Sequence, residues 1–122
     1  MTTTKIYLNE GQDHFFGFHN EFADAPALRL AATFELPAAL VTQLTSGQPI
    51  TALETVFEQL NIGGEPGYPA EPWTTEYRSH RNRSLSTGDV VVLGENAYAV
   101  ASFGWDHVPT ADLLTAIDRA TS

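Results

Sequence analysis

The sequence of 122 residues predicts an α+β fold, in which a small, mainly antiparallel sheet carries two or three helices packed on one face. Three observations favour this class: an apolar segment with period two, two segments with helical spacing of apolar residues, and a hairpin signal in the second half of the chain. The length is typical of one domain, so residues 1–122 are interpreted as a single domain.

The first third of the chain contains the strand signals. Residues 5–8 form a short apolar strand that the turn residues 9–11 would close. Residues 14–19 are rich in aromatic side chains and are expected to be extended. Residues 28–36 alternate apolar with polar or small side chains, which predicts one unbroken, half-buried strand with Leu30, Phe34 and Leu36 on the same face.

Two helices are predicted in the middle of the chain. The first begins at Pro37, continues through residue 44 and ends at Gly47. The second spans residues 51–61, where Thr51 and Glu54 have the spacing of a capping box. Its apolar face is formed by four side chains at helical spacing: Leu53, Val56, Phe57 and Leu60. We expect this face to pack on the strand of residues 28–36, and Phe57→Ala to cost about 3–5 kcal/mol of stability.

The last part of the chain predicts a loop, a hairpin and a closing helix. Residues 63–72 contain three prolines and three glycines and are interpreted as a loop. A hairpin is predicted from residues 90–93 and 98–103, with a turn that begins at Gly94. A tight turn precedes the hairpin, and in it Gly88 needs a positive φ. Residues 110–120 are predicted to form a helix with Ala111, Leu114 and Ile117 on one side and Leu113 adjoining them.

Composition narrows the possible environments and partners. Fifteen acidic against six basic residues give a net charge of −9, which disfavours general binding to nucleic-acid phosphates. No signal peptide and no membrane span is recognised, and cysteine is absent, so the chain is interpreted as cytoplasmic, with no membrane partner. The acidic residues are dispersed along the chain, which favours a role in solubility.

No catalytic or metal-binding motif is recognised. The four histidines show neither HxxxH nor HExxH spacing, so no metal site and no cofactor is predicted. Ser84 and Ser86 lie near His80 and Asp89, but there is no Gly-x-Ser-x-Gly sequence to present a nucleophile. The chain is therefore predicted not to be an enzyme.

One basic segment stands out against the acidic background. Half of the six lysine and arginine residues fall within six positions, and the candidate binding residues are Trp73, Tyr77, Arg78, His80, Arg81 and Arg83. In one interpretation, the arginines pair with the protein's own acids or cover aromatic surface with their stems. In the other, they form an exposed ridge that docks an acidic partner, a phosphate or a nucleic-acid segment, and the two aromatic residues supply stacking surface. Both interpretations remain open from the sequence.

The segment that follows resembles a known family. The sequence from Arg83 to Leu93, then Ala97 to Val100 and Ser102 to Trp105, is similar to the YodL-like domain, which has a Ser-Leu-Ser-x-x-Asp-Val-Val segment before a hairpin ending in Asp-Ser-Phe-Gly-Phe. The motif positions, interpreted as structural, are Ser84, Leu85, Ser86, Gly88, Asp89, Phe103, Gly104 and Trp105. The chain departs from the family pattern at Thr87-Gly88, Ala101 and Trp105.

The resemblance implies an accessory domain of bacteria, plasmids or phages without established enzymatic activity. The function expected from residues and resemblance together is a non-enzymatic accessory protein of a mobile element, phage or bacterial host that acts by binding a protein. Two alternatives stay open: an acidic DNA mimic of the antirestriction type, and a small hydrolase or nucleotide-binding enzyme. The sequence does not indicate the oligomeric state.

Overall fold

The computed structural model describes residues 2–11, 27–67, 69–101 and 104–121. Five strands and four helices lie in these ranges; in chain order they are β1 (Thr3–Asn9), β2 (Leu28–Glu35), α1 (Ala38–Thr45), α2 (Pro49–Ile62), α3 (Pro72–Ser79), β3 (Val90–Leu93), β4 (Asn96–Val100), β5 (Trp105–Val108) and α4 (Thr110–Thr121). The α+β class is confirmed, with four helices in place of the expected two or three. The chain divides into two compact units, one of Met1–Glu35 with Ser86–Ser122 and one of Leu36–Leu85.

The first unit contains the sheet. Its strand order is β2-β1-β3-β4-β5, and all four pairings are antiparallel. The predicted hairpin is present as β3 and β4, and Gly94 in the turn between them has φ 64°. The fifth strand was not predicted, because its four residues carry no period-two pattern that stands out from the sequence around them.

A bulge interrupts the pairing of β1 with β2. Ile6 lies opposite Ala32, whereas Tyr7 lies opposite Leu30, so Ala31 is the extra residue. An extra residue reverses the alternation of side chains between the two faces of the sheet. Leu30 and Ala32 therefore lie on opposite faces, and Leu30 is 49% exposed. The expectation of one unbroken alternation over residues 28–36 is wrong for this reason.

Helix α4 packs on one face of this sheet, where it contacts β2 and β4. The buried cluster on that face comprises Tyr7, Leu28, Val90, Val92, Ala97, Ala99, Val108 and Ala116. Leu113 and Ile117 pack against it from the helix, so the inward stripe is 113, 116 and 117. Of the predicted face, Ile117 and the adjoining Leu113 pack on the sheet, whereas Leu114 is 56% exposed and Ala111 is exposed. The buried stripe is therefore rotated away from residues 111 and 114.

Burial of the central strands extends to both faces of the sheet. All four residues of β3 are buried, and so are Ile6, Tyr7, Leu8 and Asn9 of β1. Strands buried on both faces are continuously apolar rather than alternating, and β3, which reads Val-Val-Val-Leu, has this character.

The second unit is helical, and in it α2 contacts α1 and α3. Helix α2 begins at Pro49 with Gln48 as N-cap and without a side-chain cap, so the predicted capping box of Thr51 and Glu54 lies inside the helix and is wrong. The start of the helix is instead favoured by proline at its first position. On the predicted apolar face, Leu53, Val56 and Leu60 are buried, whereas Phe57 is only partly buried.

Helix α3 was not anticipated, since the sequence around it was interpreted as a loop and a basic segment. It also begins with a proline, Pro72. The loop that precedes it is held by the buried side chain of Gln59, which donates to the carbonyl of Pro69 and accepts from the backbone N–H of Glu71 and the hydroxyl of Thr74. The predicted extended segment 14–19 lies outside the described residues.

Within the described ranges, no helix combines the length and the apolar composition that crossing a bilayer requires.

Candidate functional site

The basic segment lies at the end of α3 and in the turn that follows it. Arg78 is in the last turn of the helix, His80 is its C-cap, and Arg81 has φ 60°, in the left-handed region. The side chains of Arg78, His80, Arg81 and Arg83 are all exposed. A turn therefore follows the helix, and these four basic residues lie within six positions of it.

Three hydrogen bonds hold this turn. The backbone N–H of Arg81 donates to the carbonyl of Arg78 at 2.9 Å. The side-chain amide of Asn82 donates to the carbonyl of Tyr77 at 3.1 Å, and the hydroxyl of Tyr77 donates to the carbonyl of Arg83 at 2.6 Å. No sequence pattern indicated that the buried Tyr77 closes this turn from inside.

Of the two aromatic candidates, Tyr77 does not offer the expected stacking surface. Tyr77 is 1% exposed, and its hydroxyl is bonded to Arg83. Trp73 is partly buried. The expectation that Tyr77 offers an exposed face is wrong, because a helix beginning at Pro72 turns this side chain inward while Arg78 stays outside.

The guanidinium groups of Arg78 and Arg83 bond backbone carbonyls. Arg78 donates to the carbonyl of Leu60 at 3.4 Å, near the C-terminal end of α2, where a cation is favoured by the helix dipole. Arg83 donates to the carbonyl of Ser84 at 3.1 Å. Neither Arg78 nor Arg81 forms an ion pair with a carboxylate of the residues that the structure describes. For these two arginines, pairing with the protein's own acids is not observed.

The motif after the basic segment builds the turn before β3. The backbone N–H of Asp89 donates to the carbonyl of Ser86, and the carboxylate of Asp89 accepts from the N–H of Ser86 at 2.8 Å. Gly88 has φ 95° and donates to the carbonyl of Val100. The predicted tight turn with a left-handed glycine is confirmed. Leu85 is buried and exchanges two hydrogen bonds with the side chain of Asn61.

The remaining motif positions are Ser84, Phe103, Gly104 and Trp105. Ser84 is exposed, Gly104 has φ 72° in the turn between β4 and β5, and Trp105, partly buried, begins β5. Phe103 lies outside the described residues. Gly104 and Trp105 thus lie in a turn and at the start of a strand.

The described residues bring together no group of three or more His, Cys, Asp or Glu side chains that could hold a metal ion. Comparison of the chain with models of known families, with curated proteins and with solved structures finds no match. The basic turn is therefore the candidate site on its geometry alone.

Proposed function

We propose that this chain is a non-enzymatic accessory protein that binds an acidic protein partner through the basic turn. The resemblance to YodL-like domains supports a role in a mobile element, a phage or a bacterial host. In this proposal the binding residues are Arg78, His80, Arg81 and Arg83, and the buried Tyr77 positions them.

The observation that supports this proposal most is the conformation of Arg81. A non-glycine residue in the left-handed region costs about 1–2 kcal/mol and persists only where the surrounding structure enforces it. Here the conformation of Arg81 is held by two hydrogen bonds, one from its own backbone N–H and one from the side chain of the next residue, Asn82. The side chain of Arg81 is exposed. A turn held in this way fixes the backbone from which the basic side chains project, so binding does not have to order that backbone.

A charge-reversal pull-down tests the proposal. The tagged chain, the double variant Arg81→Glu/Arg83→Glu and the control Arg29→Glu/Arg119→Glu are each incubated with bacterial lysate, and captured proteins are quantified by mass spectrometry. Both double variants change the net charge by the same amount. We expect a partner that the original chain and the control capture and that the turn variant loses.

Salt dependence provides the second readout. A contact between exposed charges is screened over about 8 Å at physiological ionic strength, so capture is expected to weaken as salt is added. Circular dichroism checks that both variants are folded. Equal capture by the turn variant and the control, or capture that is insensitive to salt, would overturn the proposal.

A further inference from the structure

A groove lies on the sheet face of the first unit, beside α4. It has a volume of about 330 Å³, is partly open to solvent, and is lined by Thr3, Lys5, Tyr7, Val92, Gly94, Leu113, Leu114 and Ile117. This volume is at the lower end of the range, about 300–1,000 Å³, found for small-molecule sites. All lining residues belong to the first unit, whereas the residues of the basic turn belong to the second.

One wall of the groove is aliphatic. It is formed by Leu113, Leu114 and Ile117 of α4 together with Val92 of β3. Leu114 is 56% exposed, although it follows directly after a residue packed on the core cluster. Covering these side chains would remove apolar surface from water, which favours an apolar ligand group.

The other wall carries polar groups from β1. Thr3, Lys5 and Tyr7 alternate along the strand and so project from the same face of the sheet. Lys5 is the only lysine of the chain. Its side chain is exposed and forms no ion pair with the residues that the structure describes, although Glu35 stands on the neighbouring strand opposite Thr3.

We infer that this groove binds a small monocarboxylate with an aliphatic chain. The ammonium group of Lys5 would pair with the carboxylate, and the α4 wall would cover the chain. Charge complementarity selects an anion, and the aliphatic wall selects against small hydrophilic anions. This inference does not depend on the proposed protein partner, because it concerns a different unit and different residues.

Titration calorimetry with octanoate, octanol and acetate tests the ligand class. We expect saturable binding of octanoate, weaker binding of octanol and none of acetate. Addition of salt is expected to weaken octanoate binding and leave octanol binding unchanged. Amide chemical shifts should move at Val92 and Gly94, which locates the ligand in the groove.

Two variants test separately the charged half of the site, Lys5, and its aliphatic half, the α4 wall. Lys5→Met keeps the length of the side chain and removes the charge, and we expect at least fivefold weaker binding of octanoate with unchanged binding of octanol. Leu114→Ser should weaken both ligands. The matched control is Ile62→Ser, which changes an aliphatic side chain of similar exposure, 44%, in the second unit, and should alter neither.

Several outcomes would overturn the inference. They are the absence of saturable octanoate binding, equal octanoate affinity in Lys5→Met, and shift changes remote from Val92 and Gly94. Binding of a peptide with a C-terminal leucine carboxylate, without binding of octanoate, would also overturn it in favour of a protein ligand. Loss of partner capture by the basic-turn variant has no bearing on any of these results.

Discussion

The carboxylate of Asp89 accepts a hydrogen bond of 2.8 Å from the backbone N–H of Asn9, a residue 80 positions earlier in the chain. Both residues are buried, and the side chain of Asn9 in turn donates to the carbonyl of Gly88. The end of β1 is thereby joined to the turn before β3. A buried carboxylate is tolerated here because two backbone N–H groups, of Asn9 and Ser86, are aimed at its two oxygens.

Replacing Asp89 by asparagine should destabilise the protein by about 1.5–3 kcal/mol. The amide retains one accepting oxygen but places an NH₂ group against the second N–H donor, which is then buried without a partner. Urea unfolding measures the effect. The control is Asp106→Asn on the exposed part of β5, expected to change stability by less than about 0.5 kcal/mol. Equal midpoints for the two variants would contradict this role of Asp89.

Gly63→Ala should destabilise the end of α2. A Cβ atom added at Gly63 would lie far inside van der Waals contact with the backbone oxygen of Gln59. We expect a loss of about 1–3 kcal/mol, because the oxygen belongs to the helix backbone and cannot move aside. Gly67→Ala is the comparison: its Cβ would meet nothing within 4 Å, but φ is 82°, so only backbone strain is tested. A neutral Gly63→Ala variant would contradict the clash.

Truncation of different side chains on the apolar face of α2 should destabilise the protein by different amounts. Leu53→Ala removes a side chain with 0% exposure and is expected to cost about 2–5 kcal/mol. Phe57→Ala should cost less, because Phe57 is only partly buried. This revises the value of about 3–5 kcal/mol that helical periodicity suggested for Phe57. Thermal unfolding of both variants is the measurement, and the reverse order would show that the burial is assigned wrongly.

Alkaline pH should destabilise the protein through Tyr7. Burial raises the pKa of Tyr7 above its ordinary value of 10.0, since the charged phenolate is disfavoured away from water. The folded state then retains a proton that the unfolded state has lost, so this contribution is present below pH 10 and disappears as pH rises through the folded pKa. Denaturation of Tyr7→Phe over the same pH series should show a shallower alkaline loss. Parallel pH profiles for the two proteins would contradict the shift.

Two substitutions at Arg81, both of which remove its charge, should differ in stability because of backbone strain. Arg81→Gly relieves the strain of the left-handed conformation but raises the conformational entropy of the unfolded chain. We therefore expect the free energy of unfolding to stay within about 1 kcal/mol of the original. Arg81→Val should lose about 1–2 kcal/mol, because a β-branched residue fits a positive φ poorly. Chemical unfolding measures both. A Val variant as stable as the Gly variant would show that the turn does not hold this conformation.

Local sequence patterns were sufficient to predict several structural elements. Strand β1, the hairpin of β3 and β4, helix α1 and the tight turn at Gly88 were all predicted, because turn residues and short apolar runs act within a few positions. The glycine that needs a positive φ is recognisable from its neighbours alone. Helix α3 and strand β5 were missed, since neither carries a strong apolar period.

The sequence by itself therefore determined the α+β class, the turn chemistry and the concentration of basic residues after Trp73. Only the tertiary structure decided which faces are buried. The bulge at Ala31 reverses the alternation in β2, and packing on the sheet selects residues 113, 116 and 117 of α4. It also placed Tyr77 inside and Lys5 beside an aliphatic wall. The physical reason is that periodicity encodes an element's own geometry, whereas register, bulges and helix rotation depend on contacts between residues distant in the chain.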